Sequence, residues 1–106
     1  MKKRFICKEN DISNNETRSF PGPGGKDAIL MKVNGELRAY VNSCPHMGGS
    51  IMLEGCKEGG ICVLRCQWHG ASFNALNGEV LSGPPPSGSS LRELPLIIEG
   101  NNIYYQ

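Results

Sequence analysis

The chain has 106 residues, enough for one compact domain with one modest core. Only 20% of residues are charged and the net charge is +1, which excludes the broad basic surface of a nucleic-acid binder. No run approaches the ~18 apolar residues of a membrane helix, and the basic start Met1-Lys2-Lys3-Arg4 is followed by no apolar stretch of signal-peptide length, so the chain reads as cytoplasmic, with neither a membrane nor a nucleic acid as partner.

Fourteen Gly and seven Pro predict many turns. Phe5-Ile6-Cys7 reads as a first edge strand, with Cys7 as a buried thiol among apolar neighbours. Asn10 to Asn15 is polar and irregular. Ser19 to Lys26 contains Pro21-Gly22-Pro23-Gly24-Gly25, which is expected to break regular structure. Ala28 to Val33 predicts a strand, Asn34-Gly35 a two-residue hairpin turn, and Glu36 to Val41 the returning strand. Short strands are predicted at Ile51-Met52-Leu53 and Ile61 to Leu64. A further pair, Ala71-Ser72-Phe73 with Glu79-Val80-Leu81, closes across Asn77-Gly78. Arg92-Glu93 is expected in at most a short turn of helix. Leu94 to Ile98 and Ile103 to Tyr105 form a last hairpin around Gly100-Asn101-Asn102, with Pro95 at an edge or bulge because it lacks an amide hydrogen. No segment sustains a 3.6-residue period. Many short strands with frequent turns predict an all-β fold, an antiparallel sandwich or partial barrel.

Two short runs carry the chemistry: Cys44-Pro45-His46-Met47-Gly48 and Cys66-Gln67-Trp68-His69-Gly70. Each offers one thiolate and one imidazole, so together they supply two sulfur and two nitrogen ligands. A structural zinc site and a two-iron, two-sulfur cluster both remain open on this pattern. Zinc modules of mixed ligation usually present a Cys pair and then a His pair. Here each run carries one of each, which suits two chemically distinct metals. In extended chain, Cys44 and His46 would lie about 6–7 Å apart on one side. A disulfide framework is disfavoured by the odd count of five Cys and the two nearby His. Cys56 and Cys62 flank five residues, and a three-residue loop at 58–60 would set them opposite each other. A cytoplasmic setting favours two reduced thiols there over a bridge.

Cys-Pro-His-x-Gly followed by Cys-x-x-His-Gly-x-x-Phe resembles the cluster-binding pattern of Rieske iron–sulfur proteins. The resemblance extends to Gly83-Pro84-Pro85-Pro86, fourteen residues after His69, where the family carries a proline-rich covering loop, and to the Asn77-Gly78 turn. It implies a basal β part at about 1–42 and 87–106, with a cluster-binding part at about 43–86 inserted in it. It implies one [2Fe-2S] cluster, with Cys44 and Cys66 on the inner iron and His46 and His69 on the outer one. Around the ligands, Gly48 and Gly70 permit tight turns, and Met47 and Trp68 shield the cluster, a role compatible with ordinary packing of Trp68. Ser72 either donates a hydrogen bond or faces solvent. Pro84 and Pro85 stiffen the covering loop. Nineteen residues separate His46 from Cys66, a little more than is usual in the family, and the surplus is expected in the 54–60 turn.

High-potential members of the family have a Ser two residues and a Tyr four residues after the second His, and a disulfide between the ligand loops. This chain has Ala71, Phe73, Gly49 and Trp68 at those positions. The resemblance therefore implies a potential in the lower part of the Rieske span. It implies a one-electron carrier between a flavin-dependent reductase and a terminal oxygenase of the ring-hydroxylating type. The protein itself would not be an enzyme, because its only two His are both cluster ligands and none remains for a mononuclear iron site. A small Rieske subunit of a reductase complex, such as a nitrite reductase, is the alternative, and a zinc-stabilised interaction module the remote one.

Overall fold

The computed structural model describes residues 3–42, 51–56, 62–67, 70–82 and 90–106. Ten strands occur among them: β1 (Arg4–Lys8), β2 (Glu16–Pro21), β3 (Asp27–Val33), β4 (Glu36–Val41), β5 (Ile51–Cys56), β6 (Cys62–Cys66), β7 (Ser72–Asn74), β8 (Val80–Ser82), β9 (Leu96–Glu99) and β10 (Asn102–Tyr105). Two single 3-10 turns, Glu9–Asp11 and Pro23–Gly25, flank β2. Among the described residues no helix is long and apolar enough to cross a membrane.

The strands form three antiparallel sheets, ordered β1-β10-β9, β2-β3-β4 and β5-β6-β7-β8. The β3 strand explains how they stack. Its odd positions Ile29, Met31 and Val33 belong to one core with Ile51, Cys62, Leu64 and Phe73 of the four-stranded sheet. Its even positions Ala28 and Leu30 belong to a second core with Cys7, Ile103 and Tyr105 of the β1-β10-β9 sheet. Side chains alternate across a strand, so one strand feeds both cores. The sheet β2-β3-β4 is therefore the middle layer of three. Tyr40 reinforces the contact: its buried hydroxyl donates to Ala75 O at 2.7 Å, and Arg38 Nε donates to Leu76 O at 3.0 Å.

The Asn34-Gly35 turn forms as predicted, with φ +52° and +78° and Val33 opposite Glu36. One expectation about strand placement fails. Ser19 to Pro21 do not break regular structure but complete β2, paired with β3 from Glu16↔Lys32 to Pro21↔Asp27. Only Phe20 of that strand is buried, so its alternation is invisible in the sequence, and Pro21 is accommodated at its last position. Arg92-Glu93 join no helix. They run extended beside β4, with Val41 N–H donating to Arg92 O at 2.9 Å and Leu94 N–H to Ala39 O at 2.8 Å. Pro95 stands just before β9, outside the ladder.

Cys56 and Cys62 are joined in a disulfide, against the expectation of two reduced thiols. The β5–β6 register sets them directly opposite each other. The same hairpin carries an irregularity in β5. Leu53 pairs with Leu64 and Gly55 with Val63, so Glu54 is an extra residue in a β-bulge, and Gly55 takes φ +136°.

Candidate metal centre

The ends of three chain segments meet at one end of the β5-β6-β7-β8 sheet. The first departs after Asn42 and returns at Ile51. Ile51 N–H donates to Asn42 Oδ1 at 2.7 Å, which pins the two ends of that segment together. Ile51 lies directly opposite Cys66.

The second segment begins at Cys66. Cys66 N–H donates to Ala71 O at 2.7 Å, and Arg65 Nη1 donates to Gly70 O at 2.7 Å. Gly70 has φ +70°, a left-handed conformation that favours glycine. The third segment departs after Ser82, which lies opposite Ser72. Their hydroxyls are 2.7 Å apart. Beyond it, Ser90 is bridged to Glu79.

Cys66 is 1% exposed and shares its core with Ile51, Leu64, Ala71 and Phe73. A buried sulfur at a strand end, at the mouth of three segments, is chemically suited to an iron–sulfur centre or a soft metal ion. Cys44, His46, Met47, Gly48, Trp68, His69, Pro84 and Pro85 lie outside the described residues. Among the described residues no group of three or more His, Cys, Asp or Glu gathers for a metal. What the described frame contributes is convergence: the flanks of both ligand runs and of the proline run meet beside one buried thiol, and two Cys with two His form a donor set that fits a mixed-ligand cluster.

Ser72 is 5% exposed and its hydroxyl is engaged with Ser82, which corrects the solvent-facing reading of this residue. Three residues that the sequence patterns did not single out also shape the site: Asn42, Arg65 and Glu54. Arg65 Nε is bonded to the Glu54 carboxylate. That hydrogen bond, and then the charge of Glu54, hold the Arg65 guanidinium even more firmly protonated than usual. The one sequence signal toward this pair was the surplus in the 54–60 turn, which marked the hairpin without naming its occupants.

A model of the Rieske [2Fe-2S] domain matches residues 2–95. The chain is 32% identical over 99 residues to apoptosis-inducing factor 3 of Homo sapiens, covering 93% of this chain and 15% of that protein. It therefore spans only a small part of that relative. It is 32% identical over 79 residues to the ferredoxin component of the naphthalene 1,2-dioxygenase system of Pseudomonas aeruginosa, covering 74% of this chain and 71% of the relative. Among solved structures, the ferredoxin of carbazole 1,9a-dioxygenase from Nocardioides aromaticivorans superposes with a TM-score of 0.78 at 15% identity, over 99% of this chain and 97% of that one. That likeness concerns the fold.

Proposed function

This chain belongs to the Rieske [2Fe-2S] domain family, with one [2Fe-2S] cluster as its cofactor, and we propose that it works as a one-electron carrier between a flavin-dependent reductase and a terminal oxygenase. The observation that carries this reading is the convergence of three segments on one end of the four-stranded sheet, beside buried Cys66. Kinship to the ferredoxin component of a naphthalene dioxygenase system supports an oxygenase as the electron acceptor.

In this reading Cys44 and Cys66 hold the inner iron, and His46 and His69 the outer one. When bound, the cluster takes up and gives up one electron. The polypeptide holds it in a fixed frame and limits water: Met47 and Trp68 shield it, Gly48 and Gly70 let the backbone turn closely, and Pro84 and Pro85 stiffen the segment across it. The part at about 43–86 holds the cluster, and the parts at about 1–42 and 87–106 form its base. In this reading the chain carries electrons and holds no mononuclear-iron site of its own, because both its His are occupied as ligands. In this reading it works with these partners in the cytoplasm.

Electron paramagnetic resonance after dithionite reduction, with iron and sulfide counted, tests the reading. A rhombic signal with an average g value below that of four-Cys clusters is expected, with two irons and two sulfides per chain. A silent protein holding one zinc ion would overturn it. The match to a much longer relative favours a second arrangement, in which such a domain is the redox part of a larger assembly. Co-purification with a large reductase subunit from the native source would establish that arrangement.

A further inference from the structure

We infer that Arg65 is a positioning residue for the second ligand run, held in place by Glu54, and that this pair tunes the potential of the proposed cluster. The inference rests on the reading of Cys66 and His69 as ligands. Three observations carry it.

Arg65 stands next to Cys66, and its guanidinium reaches past that residue to the far end of the run, where Nη1 donates to Gly70 O at 2.7 Å. With Cys66 N–H on Ala71 O, this gives the run two closures, one from the backbone and one from a side chain. Gly70 directly follows His69, so the carbonyl that Arg65 grips belongs to the residue after an expected ligand. Groups that orient ligands from outside commonly matter to a metal centre nearly as much as the ligands do.

The guanidinium is itself oriented. Its Nε is bonded to the carboxylate of Glu54. Glu54 is the extra residue of the β5 bulge, and bulges re-aim a side chain. The bulge thus has a use: it presents the carboxylate that fixes Arg65. The fork geometry of arginine suits this double engagement, one nitrogen on the carboxylate and another on the carbonyl, whereas a lysine ammonium is a point charge with no such fork.

Arg65 and Glu54 side chains are 43% and 41% exposed, so as an ion pair they contribute little to stability. A function in positioning accounts better for the arrangement. Arg65 also places a permanent positive charge at the Gly70 end of the second ligand run, and the reduced cluster carries one more negative charge than the oxidised one. Such a charge favours reduction, and Glu54 offsets part of it.

The test compares the cluster-loaded wild type with Arg65→Gln, Arg65→Lys and Glu54→Gln. A wild type without the rhombic spectrum would end the underlying reading before the variants are considered. With that spectrum present, Arg65→Gln is expected to lower the reduction potential, to shift or broaden the g values, and to speed cluster loss to a chelator about tenfold. Arg65→Lys keeps the charge and loses the fork: its potential stays near wild type while cluster loss is faster. Glu54→Gln is expected to raise the potential, the opposite sign. A role confined to folding would lower the unfolding midpoint and leave spectrum and potential unmoved. Wild-type spectra, potentials and chelation rates in both Arg65→Lys and Glu54→Gln would overturn the proposal even if Arg65→Gln failed to accumulate.

Discussion

Ala71 and Phe73 follow the second ligand run and are 1% and 0% exposed. Neither side chain carries a hydroxyl, so neither donates a hydrogen bond toward a cluster sulfur. Such bonds stabilise the reduced form and raise the potential. The expected value lies in the lower part of the span of roughly −150 to +300 mV seen for Rieske centres. Ala71→Ser adds a donor at this position, and voltammetry is expected to show a higher potential than wild type. A potential equal to or below wild type would show that the hydroxyl does not reach the cluster. Ser72, one residue on, is committed to Ser82. Ser72→Ala removes that bond and is expected to cost about 1 kcal/mol in a urea titration, with the partner hydroxyl left to find water. The pattern Cys-x-x-His made residues 66–73 legible as a site, but nothing in it showed that Ser72 is tied across to β8, because the partner is ten positions away and set by register.

Among the elements, the hairpins and the apolar edge strand β1 were legible, and the polar edge strand β2 was not. Asn34-Gly35 writes its turn locally, since both residues tolerate the positive φ it requires. The β2 strand writes nothing locally: it is exposed except at Phe20 and exists because β3 offers it a ladder. The same holds for Arg92-Glu93, drawn extended by bonds to β4. The β5–β6 hairpin combines both kinds of information. Its cross-strand disulfide closes a loop of sequence separation 6. Chain-entropy arguments assign such a small closure about 2 kcal/mol. Cys56→Ala is therefore expected to lower the unfolding free energy by about 2 kcal/mol, and a dithiol reductant added to the wild type to do the same. An unchanged urea midpoint in both cases would show that the bridge does not form in solution.

At the scale of the molecule, β3 is the strand that both cores share. Met31 and Leu30 are both fully buried, one on each side. Met31→Ala and Leu30→Ala are each expected to cost about 2–5 kcal/mol, measured by urea unfolding, because both create cavities in packed layers. If one of the two cost under ~1 kcal/mol, β3 would face a single core. The buried acids set the behaviour at high pH. Burial raises the Cys7 thiol above its ordinary 9.0, with Arg18 opposing and Asp11 adding to the effect. Burial also raises the Tyr40 hydroxyl above its ordinary 10.0, with Glu93 adding and Arg38 opposing. In both cases the unfolded chain loses its proton first. Stability from these groups is full below about pH 9 and falls as pH rises beyond it. Tyr40→Phe is expected to flatten part of that fall above pH 10, while costing about 1–2 kcal/mol at neutral pH for the bond to Ala75 O. An equal slope in the variant would assign the alkaline loss to other groups.

By itself the sequence determined the all-β class, five of the hairpin and edge assignments, and, through its Cys/His spacing, the family with its [2Fe-2S] cofactor. Turn chemistry, two-residue alternation and Cys/His spacing are all local, and local patterns survive without a fold. The tertiary structure decided what depends on residues distant in the chain: β2 and the extended 92–93 segment, the opposition of Cys56 and Cys62, and the three-layer stack around β3. It also decided that Asn42, Ile51, Cys66, Ser72 and Ser82 stand at one end of one sheet, and that a bulged Glu54 meets Arg65. Register sets these meetings, and register is a property of paired strands rather than of either strand alone.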